Sequence, residues 1–147
     1  MTVFSNIISL YKSQELNKEP LNPVNLTLLD STQYSFPKDK PILIHVWATW
    51  CPICKLEAPN IDFIAKNYEV LSIAVKSGSG ASIEEYMREL DISYKTYNDK
   101  DGLMAREFNV PAYPTTFIYN KKGELVFSEV GYTSTFGLWI RMFWVSF

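Results

Sequence analysis

The stretch that decides the fold is Pro41-Ile-Leu-Ile-His-Val-Trp-Ala-Thr-Trp-Cys-Pro-Ile-Cys54. Its first seven residues are β-branched and almost wholly apolar, the pattern of a strand covered on both faces and therefore central in a sheet. The chain then passes through a short turn into residues 51–67. There Ile53, Leu56, Ile61, Ile64 and Ala65 recur at helical spacing, with Pro59 inside the pattern as an expected kink. Two cysteines three apart thus stand where a buried strand meets a helix. One helical turn separates them, so their sulfurs can meet as thiols or as a disulfide. Cys51 falls at or before the helix N-terminus, where unpaired N–H groups and the helix dipole favour a thiolate, and it is the expected nucleophile. Cys54, one turn further in, is the expected resolving thiol. Pro52 suits the first turn, where its missing N–H has no intrahelical partner.

Other readings of the pair are weaker. Half of a zinc site would need a second pair, and His45, the one histidine of the chain, does not complete it. Haem attachment of the c type needs a histidine directly after the second cysteine, where Lys55 stands. Two buried, unreactive cysteines remain an alternative.

Outward from this centre the sequence alternates strands and helices. Residues 26–29, the polar turn 30–33 and residues 34–36 read as a hairpin. Residues 70–75 form a second buried-type strand, followed by the loop Ser77-Gly-Ser-Gly80. Ser82-Ile-Glu-Glu85 matches a capping box and predicts a helix from Ser82 to about Leu90. A strand over 92–97, a short helix over 101–108, strands over 115–119 and 124–130 and a closing helix over 134–145 complete the series. The expected architecture is an α/β sandwich around a mixed sheet. Residues 1–24 read as a leader and residues 25–147 as one domain. Asp99, Lys100 and Asp101 read as a solvated turn, and Trp47 as core.

The chain has 147 residues, 47% of them hydrophobic and 20% charged, with a formal charge of −2. That is enough for one core, it excludes a disordered chain, and it gives no electrostatic reason to expect nucleic acid. No run approaches the roughly 20 apolar residues of a membrane-spanning helix. Residues 3–10 and 136–147 are apolar but short, and the second segment keeps only Arg141 and Ser146 polar. Its helix is expected to pack on the sheet with apolar surface to spare for a partner or a membrane interface.

The motif Trp47-Ala-Thr-Trp-Cys-Pro-Ile-Cys54, with Pro59, Tyr113-Pro114-Thr115 at the start of a strand, Gly123 and Gly131, resembles the thioredoxin superfamily over roughly residues 25–145. The resemblance implies a thioredoxin fold with an N-terminal β-hairpin and a βα insertion. It also implies a cis Pro114 facing the sulfurs, a Trp50 that shields them, and a groove formed with Pro52, Ile53 and Tyr113 for an extended substrate. The early hairpin, Glu57-Ala58-Pro59 and the insertion between Gly80 and Tyr97 are most similar to the membrane-anchored TlpA- and ResA-like group. Residues 113–117 and 137–144 resemble its suppressor-of-copper-sensitivity D type.

That resemblance implies a thiol–disulfide oxidoreductase acting outside the cytoplasm, on the periplasmic side of a bacterial inner membrane. Its clients would be proteins with disulfides, and a membrane thiol carrier would re-reduce it. The redox-active Cys51–Cys54 pair would serve in place of any cofactor or metal. Residues 3–10 would be the remnant of an anchor. Glu57 matches a glutamate beside the active site of ResA-like proteins, where a carboxylate can move the proton of the resolving thiol. His45 stands where thioredoxin has a buried acid, and a neutral imidazole is a second candidate for that transfer. The alternatives are a non-catalytic binding module of the same fold and a peroxiredoxin-like peroxidase.

Overall fold

The computed structural model describes residues 25–147. The leader and the anchor remnant expected over residues 1–24 lie outside the described residues. Strand β1 (Asn25–Thr27) pairs antiparallel with β2 (Gln33–Ser35) in a small hairpin. Asp30 closes its turn by accepting from the Thr32 amide and hydroxyl at 3.1 and 2.6 Å.

A five-stranded sheet follows, in the order β5 (Lys95–Asp99), β4 (Glu69–Val75), β3 (Ile42–Trp47), β6 (Thr115–Tyr119), β7 (Leu125–Val130). The β3–β4 and β4–β5 pairs are parallel, while β3–β6 and β6–β7 are antiparallel. Four helices complete the described residues: α1 (Pro52–Ala65), α2 (Gly80–Glu89), α3 (Leu103–Glu107) and α4 (Thr135–Val145). This is the mixed α/β sandwich expected from the sequence.

All six residues of β3 are buried, because both faces of the sheet are covered. Side chains alternate across a strand. Leu43 and Trp47 accordingly join Cys54, Ala58 and Ile61 of α1 and Leu138 and Met142 of α4 in one core. Ile42, Ile44 and Val46 join Met104 and Ala105 of α3, and Leu28 and Tyr34 from the hairpin, in the other. Each such Leu or Ile contributes about 1.5–3 kcal/mol by leaving water, so a central strand of this composition has nowhere else to go.

Three local expectations are corrected. Helix α2 begins at Gly80, with Ser79 as its cap accepting from the Ser82 amide at 3.2 Å, so Ser82 is the third helical residue and not the cap. Ser79 is as good a cap as Ser82 and supplies the acceptor that the orphan Ser82 amide needs. Strand β5 begins at Lys95 and not at residue 92, because Ile92 and Tyr94 turn into the core from the loop before it, Tyr94 standing edge-on to Trp47 at 6.1 Å. Asp99 is buried and not solvated. Its carboxylate accepts from the Met104 and Ala105 amides at 3.1 and 2.9 Å and so caps α3, whose preceding Gly102 has no side chain for that task.

Candidate active site

The C-terminal end of β3 delivers the chain to the start of α1, and Cys51 is the N-cap residue of that helix. Its sulfur accepts from the Cys54 amide at 3.3 Å and contacts the carbonyl of Tyr113 at 3.6 Å. Pro52 occupies the first turn, as its missing N–H favours. Both cysteines are free thiols and buried, Cys54 the more deeply. Burial pushes the Cys54 thiol well above its ordinary range; its hydrogen bond to the Cys51 sulfur and the charge of Glu57 act in the same direction.

Two loops hold this corner. The Thr49 amide donates to the Ser77 hydroxyl at 3.0 Å, and the Trp50 indole donates to the Lys76 carbonyl at 3.0 Å. Trp50 stands edge-on to Tyr113 at 5.4 Å and is 57% exposed. The Tyr113–Pro114 peptide bond is cis. The Pro114 carbonyl accepts from the Gly131 amide at 2.7 Å, which draws the turn after β7 to the same corner. Gly131 holds φ of +105°, a conformation that other residues adopt only under strain. Ile53 and Leu56 are exposed on α1 one turn apart.

Glu57 is wholly buried on the inner face of α1. One carboxylate oxygen accepts from the Thr133 amide at 3.1 Å; the other has no partner. Burial raises its pKa from 4.5 to about 8 against the lowering by the Thr133 amide, and the charge of Glu129 adds to the rise. One turn along, Asn60 donates to the Thr133 carbonyl and the Tyr132 hydroxyl at 3.0 and 2.9 Å, so the same loop is clamped twice.

His45 shares the Leu43–Trp47 face of β3 by alternation and is wholly buried. Its Nδ1 lies 3.1 Å from the Thr116 hydroxyl, its Nε2 has no partner, and burial lowers its pKa from 6.5 to about 3. The structure therefore gathers Cys51, Cys54, Trp50, Pro52, Ile53, Tyr113 and Pro114 at one corner. Glu57 lies buried on α1, one turn from Cys54, and His45 lies within β3.

Sequence reasoning missed the supports: Lys76, Ser77, Asn60, Thr116 and Thr133. Asn60 follows Glu57 by three, a spacing that puts both on one helix face and could have marked it. Nothing local marks Lys76 or Ser77.

A dithiol at a helix N-terminus, with both sulfurs buried, Cys54 the deeper and acted on by the charge of a nearby carboxyl group, is suited to disulfide exchange. Fold and site together define a thioredoxin-like thiol–disulfide oxidoreductase. The chain belongs to the AhpC/TSA family, whose model matches residues 20–128. It is 32% identical over 133 residues to a thioredoxin-like protein of Haemophilus influenzae, covering 88% of this chain and 79% of that one. It is 33% identical over 96 residues to the thiol:disulfide interchange protein DsbE of Pseudomonas aeruginosa, covering 64% of this chain and about half (53%) of that relative. Among solved structures, the exposed lipoprotein thioredoxin of Streptococcus pneumoniae superposes with a TM-score of 0.73 at 26% identity, over 82% of this chain and 98% of that one.

Proposed function

We propose that this chain reduces protein disulfides outside the cytoplasm. The observation that carries the reading is the asymmetry of the two thiols. Cys51 caps α1 at a corner lined by Trp50, Tyr113 and cis Pro114, while Cys54 is buried more deeply with its proton held firmly. In the reaction the Cys51 thiolate attacks a client disulfide, and the displaced client sulfur leaves as a thiolate and takes a proton. Cys54 then loses its proton and attacks the Cys51 sulfur, which frees the second client thiol. Two electrons pass to the client, and a Cys51–Cys54 disulfide remains. A membrane thiol carrier restores the dithiol by the same exchange in reverse.

Glu57 suits the role of acceptor for the Cys54 proton, because a carboxyl with a pKa of about 8 changes protonation near the working pH. His45 suits it less. An imidazole that protonates only near pH 3 is a weak base at neutral pH, and its Nδ1 is already engaged with Thr116. Pro52-Ile53 between the cysteines adds no cation to stabilise a thiolate, which favours the reducing direction. Pro52, Ile53 and Trp50 with Tyr113 and Pro114 would receive the client backbone in extended form. The extracytoplasmic setting is supported by relatives such as the soluble secreted antigen MPT53 of Mycobacterium tuberculosis, 29% identical over 91 residues. Among the described residues no helix is long and apolar enough to cross a membrane, so anchoring would rest on chain outside them.

Equilibration against glutathione tests the direction, with a potential below about −150 mV expected and a higher one refuting it. Insulin reduction tests the chemistry: it is expected to vanish with Cys51→Ser. Activity unchanged by Cys51→Ser and Cys54→Ser would return the chain to a binding module. Peroxide consumption that needs Cys51 and not Cys54 would favour the peroxidase.

A further inference from the structure

Helix α4 is apolar on two opposite sides. Leu138, Met142 and Val145 are buried against the sheet and α1. At 100° per residue, Phe136, Trp139, Ile140, Phe143 and Trp144 fall within an arc of roughly 140° on the far side, and Phe147 follows just past the helix end. All six are exposed, Phe136 by 70%, Trp144 by 71% and Phe147 by 81%. With aromatic side chains of about 150–250 Å² each, they present roughly 700 Å² of apolar surface. That exceeds the roughly 300–600 Å² of the largest patch on a typical monomer and approaches the roughly 800 Å² per partner of a stable interface.

The face is preformed. Phe136, Trp139 and Phe143 stack in series at 6.4 and 5.4 Å, and Phe147 closes the ladder edge-on at 4.8 Å, so a partner need order little on arrival. Alongside runs a groove of about 340 Å³ lined by Phe127, Phe136, Gly137, Ile140, Arg141 and Trp144. Gly137, over which the side chains of Arg141, Ser134 and Thr133 close in, and the exposed Trp144 lie two turns apart. A two-fold axis over Ile140 and Arg141 would run two copies of α4 antiparallel and lay each Trp144 over the partner's Gly137, twice, as an isologous contact requires.

The charges favour protein over lipid. Arg141 is the sole charged residue of the segment 135–147, and Glu129 binds it at 2.7 Å, so the helix has no spare cation for anionic headgroups. We propose that the outer face of α4 is a two-fold interface with a second copy of this chain.

Sedimentation equilibrium on the full chain, loaded from roughly 1 to 200 µM, tests this, with far-UV circular dichroism confirming the fold of each variant. The wild type is expected to dimerise, and Trp144→Glu and Ile140→Glu to weaken the dimer roughly 30-fold or more. A wild type that is monomeric throughout, or a dimer indifferent to both substitutions, overturns the proposal. So does a monomer that instead sediments with phosphatidylcholine vesicles, which would give the face to lipid.

Discussion

Glu57 ties the stability of the fold to pH in a way that can be measured directly. Its carboxyl is wholly buried, one oxygen bonded to the Thr133 amide and the other without a partner. Burial moves its pKa from 4.5 to about 8. The folded chain therefore holds this proton more tightly than the unfolded chain. The stabilisation is present in full below about pH 4.5 and is lost as pH rises towards 8. At about 1.36 kcal/mol per pH unit, the loss across the whole interval is roughly 5 kcal/mol, a large share of the 5–15 kcal/mol typical of a domain. Glu57→Gln keeps an acceptor for the Thr133 amide and cannot ionise. Its new NH2 group, placed where an oxygen had no partner, costs a pH-independent ~1–3 kcal/mol. Urea unfolding of both proteins in the Cys51–Cys54 oxidised form, so that neither thiol titrates, gives the comparison. Between pH 5 and 8 the wild type is expected to lose roughly 4 kcal/mol relative to Glu57→Gln. Parallel pH profiles for the two proteins would refute the reasoning, because they would mean that Glu57 ionises as readily in the fold as outside it.

His45 should act at the opposite end of the scale. Its folded pKa of about 3 lies below its ordinary 6.5, so stability is lost as pH falls from 6.5 towards 3, and His45→Gln should flatten that acid limb in the same unfolding assay. Asp99→Ala removes the acceptor of two amides at the start of α3 and should lower the unfolding free energy by about 1–3 kcal/mol without changing insulin reduction. Cys54→Ser should leave mixed disulfides on Cys51, visible by mass spectrometry as reductant-sensitive adducts on that residue, whereas adducts elsewhere would contradict its role as nucleophile. Glu57→Gln should slow release of a Cys51-linked client increasingly as pH rises through about 8, where the wild-type carboxyl is ionised and can accept the proton, with the initial attack less affected.

Much of the site was legible because its signals are local. The Cys-x-x-Cys spacing, the strand before it and Pro52 at the first turn are read within one stretch of chain, and Ser134 capping α4 by accepting from the Gly137 amide follows the same short-range rule. The misreadings have a common cause. Asp99 looks solvated in the run Asn-Asp-Lys-Asp until the sheet buries it beneath α3, and Tyr94 looks like strand until Trp47 offers it a place in the core. Competition between two serines for one cap is decided by which amides need an acceptor once Ile83 and Met87 are fixed inward.

The sequence by itself determined the order of elements, the buried centre at β3 and the thiol pair at a helix start, because periodicity, capping and proline chemistry act over a few residues. Tertiary structure decided the rest. Only packing brings Thr133, 76 residues away, to the Glu57 carboxyl, sets Thr116 against His45, and draws Gly131 to the carbonyl of Pro114. Proton affinities are properties of that enclosure: the same glutamate and histidine would titrate ordinarily on an open helix or strand, and it is burial that drives one up and the other down.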